Sequence, residues 1–312
     1  MGLLSKAIGI VTKPITKFLG LNPLLSLGVS LFLSWILRPK VPEIADFGTN
    51  EFDDFERGIL LNKQSNDANI PVVYGERLIG GTRVFMETSG TDNTYLYMAI
   101  VMSEGEINSI EEIRVDDKVV TFASAFSDGT AVEVGSGDSN FYKADPTVEG
   151  SSAESLIRVE PHFGTDGQSA SSLLSTLSSW GSNHRLRGLC YLAIRFKWNQ
   201  DAFTGIPKVQ AKIKGKKVVS YNSSLAAQTA AFKTNPAWCL LDYLTNERYG
   251  KGISTTEIDL QSFYDASVIC ETQVEPYSGA SNINIFDTNV ALDTSQKIID
   301  NVREILKGCR GY

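Results

Sequence analysis

Asn235 to Ser254 holds a complete short helix with both ends marked, and a chain that carries it must build an apolar surface to receive it. Asn235 can cap the helix, and Pro236 takes the first helical position, where a missing N–H costs nothing. Trp238, Leu241 and Leu244 recur at i, i+3 and i+6, flanked by Leu240 and Tyr243, so one broad face is expected to be structural core. Arg248 and Lys251 fall near the end where the helix dipole favours cations, and Gly250 and Gly252 permit a left-handed exit. The Tyr-Gly-Lys-Gly exit lacks the spacing of a phosphate-binding loop. The element is for packing, not chemistry.

Around it the pattern is mostly β. Leu186–Trp198 is the strongest strand signal: Leu192, Ile194, Phe196 and Trp198 alternate with Tyr191, Ala193, Arg195 and Lys197. Tyr191 and Phe196 join the expected core. Tyr95–Met102 is an almost unbroken apolar run, as expected of a strand covered on both faces. Ile70–Tyr74 and Leu78–Phe85 read as strands around Gly75-Glu76 and Gly80-Gly81. Ile107–Val115 and Lys118–Phe122 flank the turn Asp116-Asp117, and Val209–Lys214 and Lys217–Tyr221 flank Gly215-Lys216, giving two expected hairpins. Ala123–Gly167 reads as loop, and Ser169–Trp180 as a weak helix. Ile258–Thr272 is an amphipathic helix, Asn282–Leu292 returns to β, and Thr294 or Ser295 is expected to cap a last helix from Gln296 to Lys307.

The expected class is therefore α+β and β-rich. Four regions follow: an apolar helix with basic flanks at 1–42, an acidic extended arm at 43–69, a β-rich domain at 70–222 with an insertion at about 123–183, and an α/β segment at 223–312. The arm is read as a solvated linker. The last segment is expected to continue beyond residue 312.

Chemistry leaves little trace. A net charge of −7 and a pI near 5.1 argue against a nucleic-acid surface, which needs clustered Lys and Arg. The four cysteines, Cys190, Cys239, Cys270 and Cys309, form no Cys-x-x-Cys pair and have no histidine at ligand spacing, so no metal, cofactor or disulfide framework is expected. A Ser/His/Asp or Cys/His arrangement would have to use His162 or His184, the two histidines, and no Gly-x-Ser-x-Gly elbow accompanies them. No catalytic residue is assigned.

Phe18 to Leu37 carries no charge, and Asn22-Pro23 marks a helix start, leaving a 15-residue helix of about 22 Å, short of a bilayer's roughly 30 Å. Lys6, Lys13 and Lys17 precede it, and Arg38-Pro39-Lys40 closes it. Three readings stand: a helix buried in an oligomer or tube, a membrane-inserting segment, or a signal anchor. In the first, Leu24, Leu27, Leu31 and Trp35 form the contact stripe.

Three separated stretches carry a resemblance: Ile70-Pro-Val-Val-Tyr-Gly-Glu-Arg-Leu-Ile-Gly-Gly81, His184-Arg-Leu-Arg-Gly-Leu-Cys-Tyr-Leu-Ala-Ile-Arg-Phe196, and Asn235-Pro-Ala with Leu240-Leu-Asp-Tyr-Leu-Thr-Asn-Glu-Arg-Tyr-Gly250. Taken in order with Ile305–Tyr312, they resemble the lambda-type phage tail-tip attachment family (protein J, the central tail hub). The resemblance implies β-barrel-like hub domains in a homotrimer that closes the distal end of a long non-contractile tail tube. It implies contact with the distal tail protein ring, the tape-measure protein and other tail-tip proteins. The N-terminal apolar helix departs from the family pattern; in a trimer the spacing of its Leu24, Leu27, Leu31 and Trp35 would let them face one another in the tube lumen or meet the end of the tape measure. Receptor contact would fall to regions outside this chain. The protein would be made in the host cytoplasm, be located in the virion at the tail tip, and need no cofactor. The alternatives are a tail-tip cell-wall-degrading enzyme and a membrane-anchored bacterial protein using residues 18–37. Transient membrane contact is compatible with the apolar run.

Overall fold

The computed structural model describes Asn62 and residues 69–309. Residues 1–42, including Leu24, Leu27, Leu31 and Trp35, lie outside the described residues, as does most of the acidic arm. Four strands open the fold: β1 (Val72–Tyr74), β2 (Glu76–Ile79), β3 (Thr82–Ser89) and β4 (Tyr95–Glu104). The hairpin β5 (Ile107–Val115) and β6 (Lys118–Val119) follows, then the short β7 (Val132–Glu133), β8 (Tyr142–Lys143) and β9 (Glu154–Ser155). Next come β10 (Ile157–Phe163), β11 (Leu189–Lys197), β12 (Val209–Val218) and β13 (Ala231–Phe232). Helices α1 (Pro236–Thr245) and α2 (Leu260–Cys270) lead to β14 (Gln273–Val274), β15 (Ile283–Asn284) and β16 (Val290–Leu292), and α3 (Ile298–Lys307) comes last. The fold is α+β and β-rich.

Two antiparallel sheets form the body. One runs β3-β4-β11-β10-β7, and the other β13-β12-β5-β6, with β2 also pairing β12. Side chains alternate across each strand, so Met98, Ile100, Met102, Leu192, Ile194 and Phe196 meet Ile107, Ile113, Val209 and Ile213 in one core. The opposite face of the first sheet is buried too. Tyr97, Ala99, Val101, Tyr191 and Ala193 lie under Leu173, Leu174, Leu177 and Trp180, which the chain brings over as a strap between β10 and β11. That second cover is why Tyr95–Met102 reads as continuously apolar. Tyr191 and Phe196 are both fully buried, on opposite faces of one strand.

The helices make a third cluster. Trp238, Cys239, Leu241 and Tyr243 of α1 pack with Val72 and Tyr74 of β1, Val218 of β12, Leu292 of β16 and Ile305 of α3. Asn235 caps α1, its side chain accepting from the Ala237 N–H at 3.0 Å. Leu244 is only half-buried. β1 and β16 pair with Val72 opposite Leu292, joining the opening and closing parts of the described chain.

Four expectations are corrected. The hairpin at Gly215-Lys216 is one continuous strand, β12. Glycine is required there because β1 crosses it: a Cβ on Gly215 would lie 2.1 Å from the Val73 carbonyl oxygen, and the Gly215 N–H donates to Gly75 at 2.7 Å. The loop-rich insertion contains β10, a strand of the first sheet flanked by β11 and β7. Pro161 masks it in the sequence but does no harm. Its carbonyl accepts from Gly129 at 2.7 Å, so its missing N–H points to the same side, past the end of β7 and away from β11. Ser169–Trp180 has only the 3-10 turn Leu174–Thr176 and otherwise lies as irregular strap. Finally, α3 starts two residues later than expected, at Ile298, so Lys297 and neither Thr294 nor Ser295 precedes it; the Thr294 hydroxyl donates to the Ile70 carbonyl at 3.2 Å and that of Ser295 to the Asp293 carboxylate at 2.7 Å.

Asn62 departs from a purely solvated arm. Its side-chain oxygen accepts from the Val209 N–H at 2.6 Å and its amide donates to the Val209 carbonyl at 2.8 Å, copying a strand partner at the start of β12.

Candidate functional site

Both histidines fall near the strap. His162, on β10, is buried and stacked flat on Tyr191, with ring centroids 4.3 Å apart. Its Nε2 lies 3.1 Å from Glu160 Oε1. Glu160, 2% exposed, also accepts from the Ser171 and Ser172 hydroxyls and from the Ser172 and Leu173 N–H groups, at 2.7–3.0 Å. Burial alone would raise its carboxyl, but these hydrogen bonds outweigh that and bring it down to about 2. A nucleophilic triad needs the histidine between serine and acid. Here the acid stands between, and it is saturated with donors. It ties the strap to β10. His184 is exposed, with Nδ1 accepting from the Gly181 N–H at 2.8 Å.

Gln168, 5% exposed, fixes the strap's root, accepting from the Gly164 N–H and donating to the Arg185 and Leu189 carbonyls. Neither Glu160 nor Gln168 was singled out in the sequence. The only signal was acid and histidine two apart, which places them on one side of a strand once β10 is recognised as one. Burial pushes the Cys190 and Cys239 thiols up, away from reactivity. Among the described residues no group of three His, Cys, Asp or Glu side chains is arranged to hold a metal.

A second polar cluster joins the sheets to the helical layer. Asp242 of α1 accepts from the Tyr74 hydroxyl at 2.5 Å and from the Tyr249 hydroxyl at 2.8 Å. Arg248 lies 2.6 Å from the carboxylate of Glu104, at the end of β4. Beside them is a cleft of about 420 Å³ bordered by Ile70, Glu104, Arg248, Tyr249 and Ile298. Burial raises the Glu104 carboxyl, while Arg248 and Lys216 pull it back only in part. Arg248→Ala is expected to lower stability by about 1–2 kcal/mol at pH 7, since a mostly buried carboxylate loses its partner. A carboxyl raised in the folded state binds its proton more tightly there than in the unfolded chain, so folding gains as pH falls. The variant should therefore recover part of the loss between pH 7 and pH 5, which urea titrations at both values would record.

The surfaces differ in character. Ion pairs cover the outer side of the second sheet: Lys212 with Glu76 at 2.5 Å, Lys214 with Glu111 at 3.4 Å and Lys208 with Asp117 at 2.9 Å. Asp116 and Asp117 form the expected turn, both at positive φ. The far side of the helical layer instead exposes apolar side chains on α2 and the β14–β15 hairpin.

No family model matches the chain. Baseplate hub protein pb3 of Escherichia phage T5 is 26% identical over 291 residues, an alignment covering 78% of this chain and 30% of that protein. The sequence resembles a phage hub protein. The similarity supports a phage tail or hub protein of structural type and does not single out the lambda-type tail-tip family. A chain in the virion of a native gene transfer agent particle aligns at 12% identity and TM-score 0.40, covering 92% of this chain and 60% of that one. This chain thus spans less than two thirds of either protein's length.

Proposed function

We propose that this chain is a structural hub subunit at the distal tip of a long non-contractile phage tail, where it closes the tail tube and links it to the host-attachment apparatus. The observation that carries this reading is the similarity to a baseplate hub protein across 78% of the chain. The site chemistry supports it, because the buried Glu160 and Gln168 and the half-buried Asp242 spend their hydrogen bonds fastening one part of the chain to another. On this reading three copies, each contributing barrel-like hub domains, surround the tail axis. They contact the distal tail protein ring, the tape-measure protein and other tail-tip proteins, and other regions meet the receptor. Edge strands such as β3 and β6 are where copies or neighbours would pair.

The test is to block synthesis of the chain during infection and supply it in trans with an epitope tag. Tails lacking a finished tip in its absence, and gold label at one tail end in three copies per particle after rescue, are the expected results. Purified infectious particles that contain none of the chain would overturn the proposal.

A further inference from the structure

Ten large apolar side chains are exposed among the described residues, and five of them, Val268, Ile269, Tyr277, Ile283 and Ile285, fall in one short stretch. Their exposures run from 43% to 74%. The fold gathers them. The Ile285 N–H donates to the Thr272 carbonyl at 2.9 Å and the Phe286 N–H to the Cys270 carbonyl at 3.2 Å, so the end of β15 lies against the end of α2. Val268 and Ile269 occupy the last turn of that helix, and Ile283, two residues from Ile285, pairs with Val274 across the hairpin. Side chains two apart on extended chain share a face. Grouped exposed apolar side chains of this kind mark a contact surface.

The rim of this surface carries one sign of charge. No Lys or Arg occurs between Lys251 and Lys297, whereas seven acids do: Glu257, Asp259, Asp265, Glu271, Glu275 and Asp287, all exposed, and the half-buried Asp293. None of the seven forms an ion pair among the described residues, in contrast to the paired outer side of the second sheet. The occupant should therefore be apolar and basic. The chain contains such a segment. Residues 1–42 have no acid, and the uncharged run Phe18–Leu37 ends in Arg38-Pro39-Lys40 and is preceded by Lys6, Lys13 and Lys17. We propose that the acid-rimmed apolar face of α2 and the β14–β15 hairpin receives residues 18–40 of this same protein. From Lys40 to Asn62, fixed at Val209, the extended chain spans up to about 70 Å, which matches the longest path over the surface of a body about 45 Å across. Leu24, Leu27, Leu31 and Trp35 would then face the hub and not the tube axis.

The experiment places the photoreactive residue p-benzoylphenylalanine at Ile269 or Ile285 of the full-length chain, with Val84, exposed on β3, as control. All three positions are solvent-exposed, so the core is undisturbed, and circular dichroism verifies folding. After irradiation, mass spectrometry is expected to find cross-links from 269 and 285, but not from 84, to residues 18–40. Arg38→Glu with Lys40→Glu should cut the yield by about fivefold, a loss of roughly 1 kcal/mol of affinity. Adding Glu271→Lys with Glu275→Lys should restore it. Cross-links to other parts of the body, to another protein in assembled particles, or to nothing would overturn the proposal, as would a yield indifferent to the charge reversal.

Discussion

Replacing Glu160 by alanine is expected to destabilise the protein by about 4 kcal/mol, because two serine hydroxyls, two backbone N–H groups and His162 lose a common buried acceptor. The damage should be local first. The strap over Tyr191 and Ala193 loses its main tie, so protease cleavage between Gly164 and Gly188 should accelerate well before the sheets unfold. A pH series gives the second signature. The folded carboxyl sits at about 2 against an ordinary 4.5, so its contribution is complete above about pH 4.5 and is lost as pH falls toward 2. Wild-type protein should lose about 3 kcal/mol from this group over that window, while Glu160→Ala, lacking it, should show a shallower acid limb. Equal acid limbs in the two proteins would show that the group does not hold the strap.

Trp238→Ala is expected to cost about 3–5 kcal/mol, the usual loss when a large buried ring becomes a cavity. Trp238 touches the layer where α1, β1, β12 and β16 meet, and its ring lies 6.1 Å from that of Tyr221. Leu241→Ala, at a site equally buried, should cost about 2–4 kcal/mol, and half-buried Leu244→Ala less than either. Guanidinium denaturation followed by far-ultraviolet circular dichroism ranks the three. A ranking that puts Leu244 first would mean that α1 buries a different face.

Residues with local consequences were the ones legible in the sequence. Asn235 and Pro236 fix the start of α1 through bonds within two residues, and β4 and β11 announce themselves by apolar content along their own length. The misread positions depend on distant neighbours. Gly215 looks like a turn until β1, more than a hundred residues earlier, is seen to cross over it. Pro161 looks like a strand breaker until the end of β7 leaves its side of β10 free. The strap's spaced leucines resemble a helix because Leu173, Leu174, Leu177 and Trp180 must reach one flat sheet face, and an irregular path serves as well as a helix. Glu160 shows only the histidine two residues on, since its other partners arrive from a segment that has no regular structure.

The pairing of β1 with β16 also sets an order of events on the ribosome. Val72 and Leu292 are about 220 residues apart, so at about 5–20 residues per second β1 waits roughly 10–45 s for its partner strand to be made. Both sheets of the body can form in that interval, with β1 already crossing β12 at Gly215. Val72 and Tyr74, buried in the finished protein, have no helical cover until α1 arrives and no β16 until later still. Nascent chains arrested before Leu292 should therefore present one sticky strand on an otherwise built body, the form most apt to bind a chaperone or to exchange strands with a second copy.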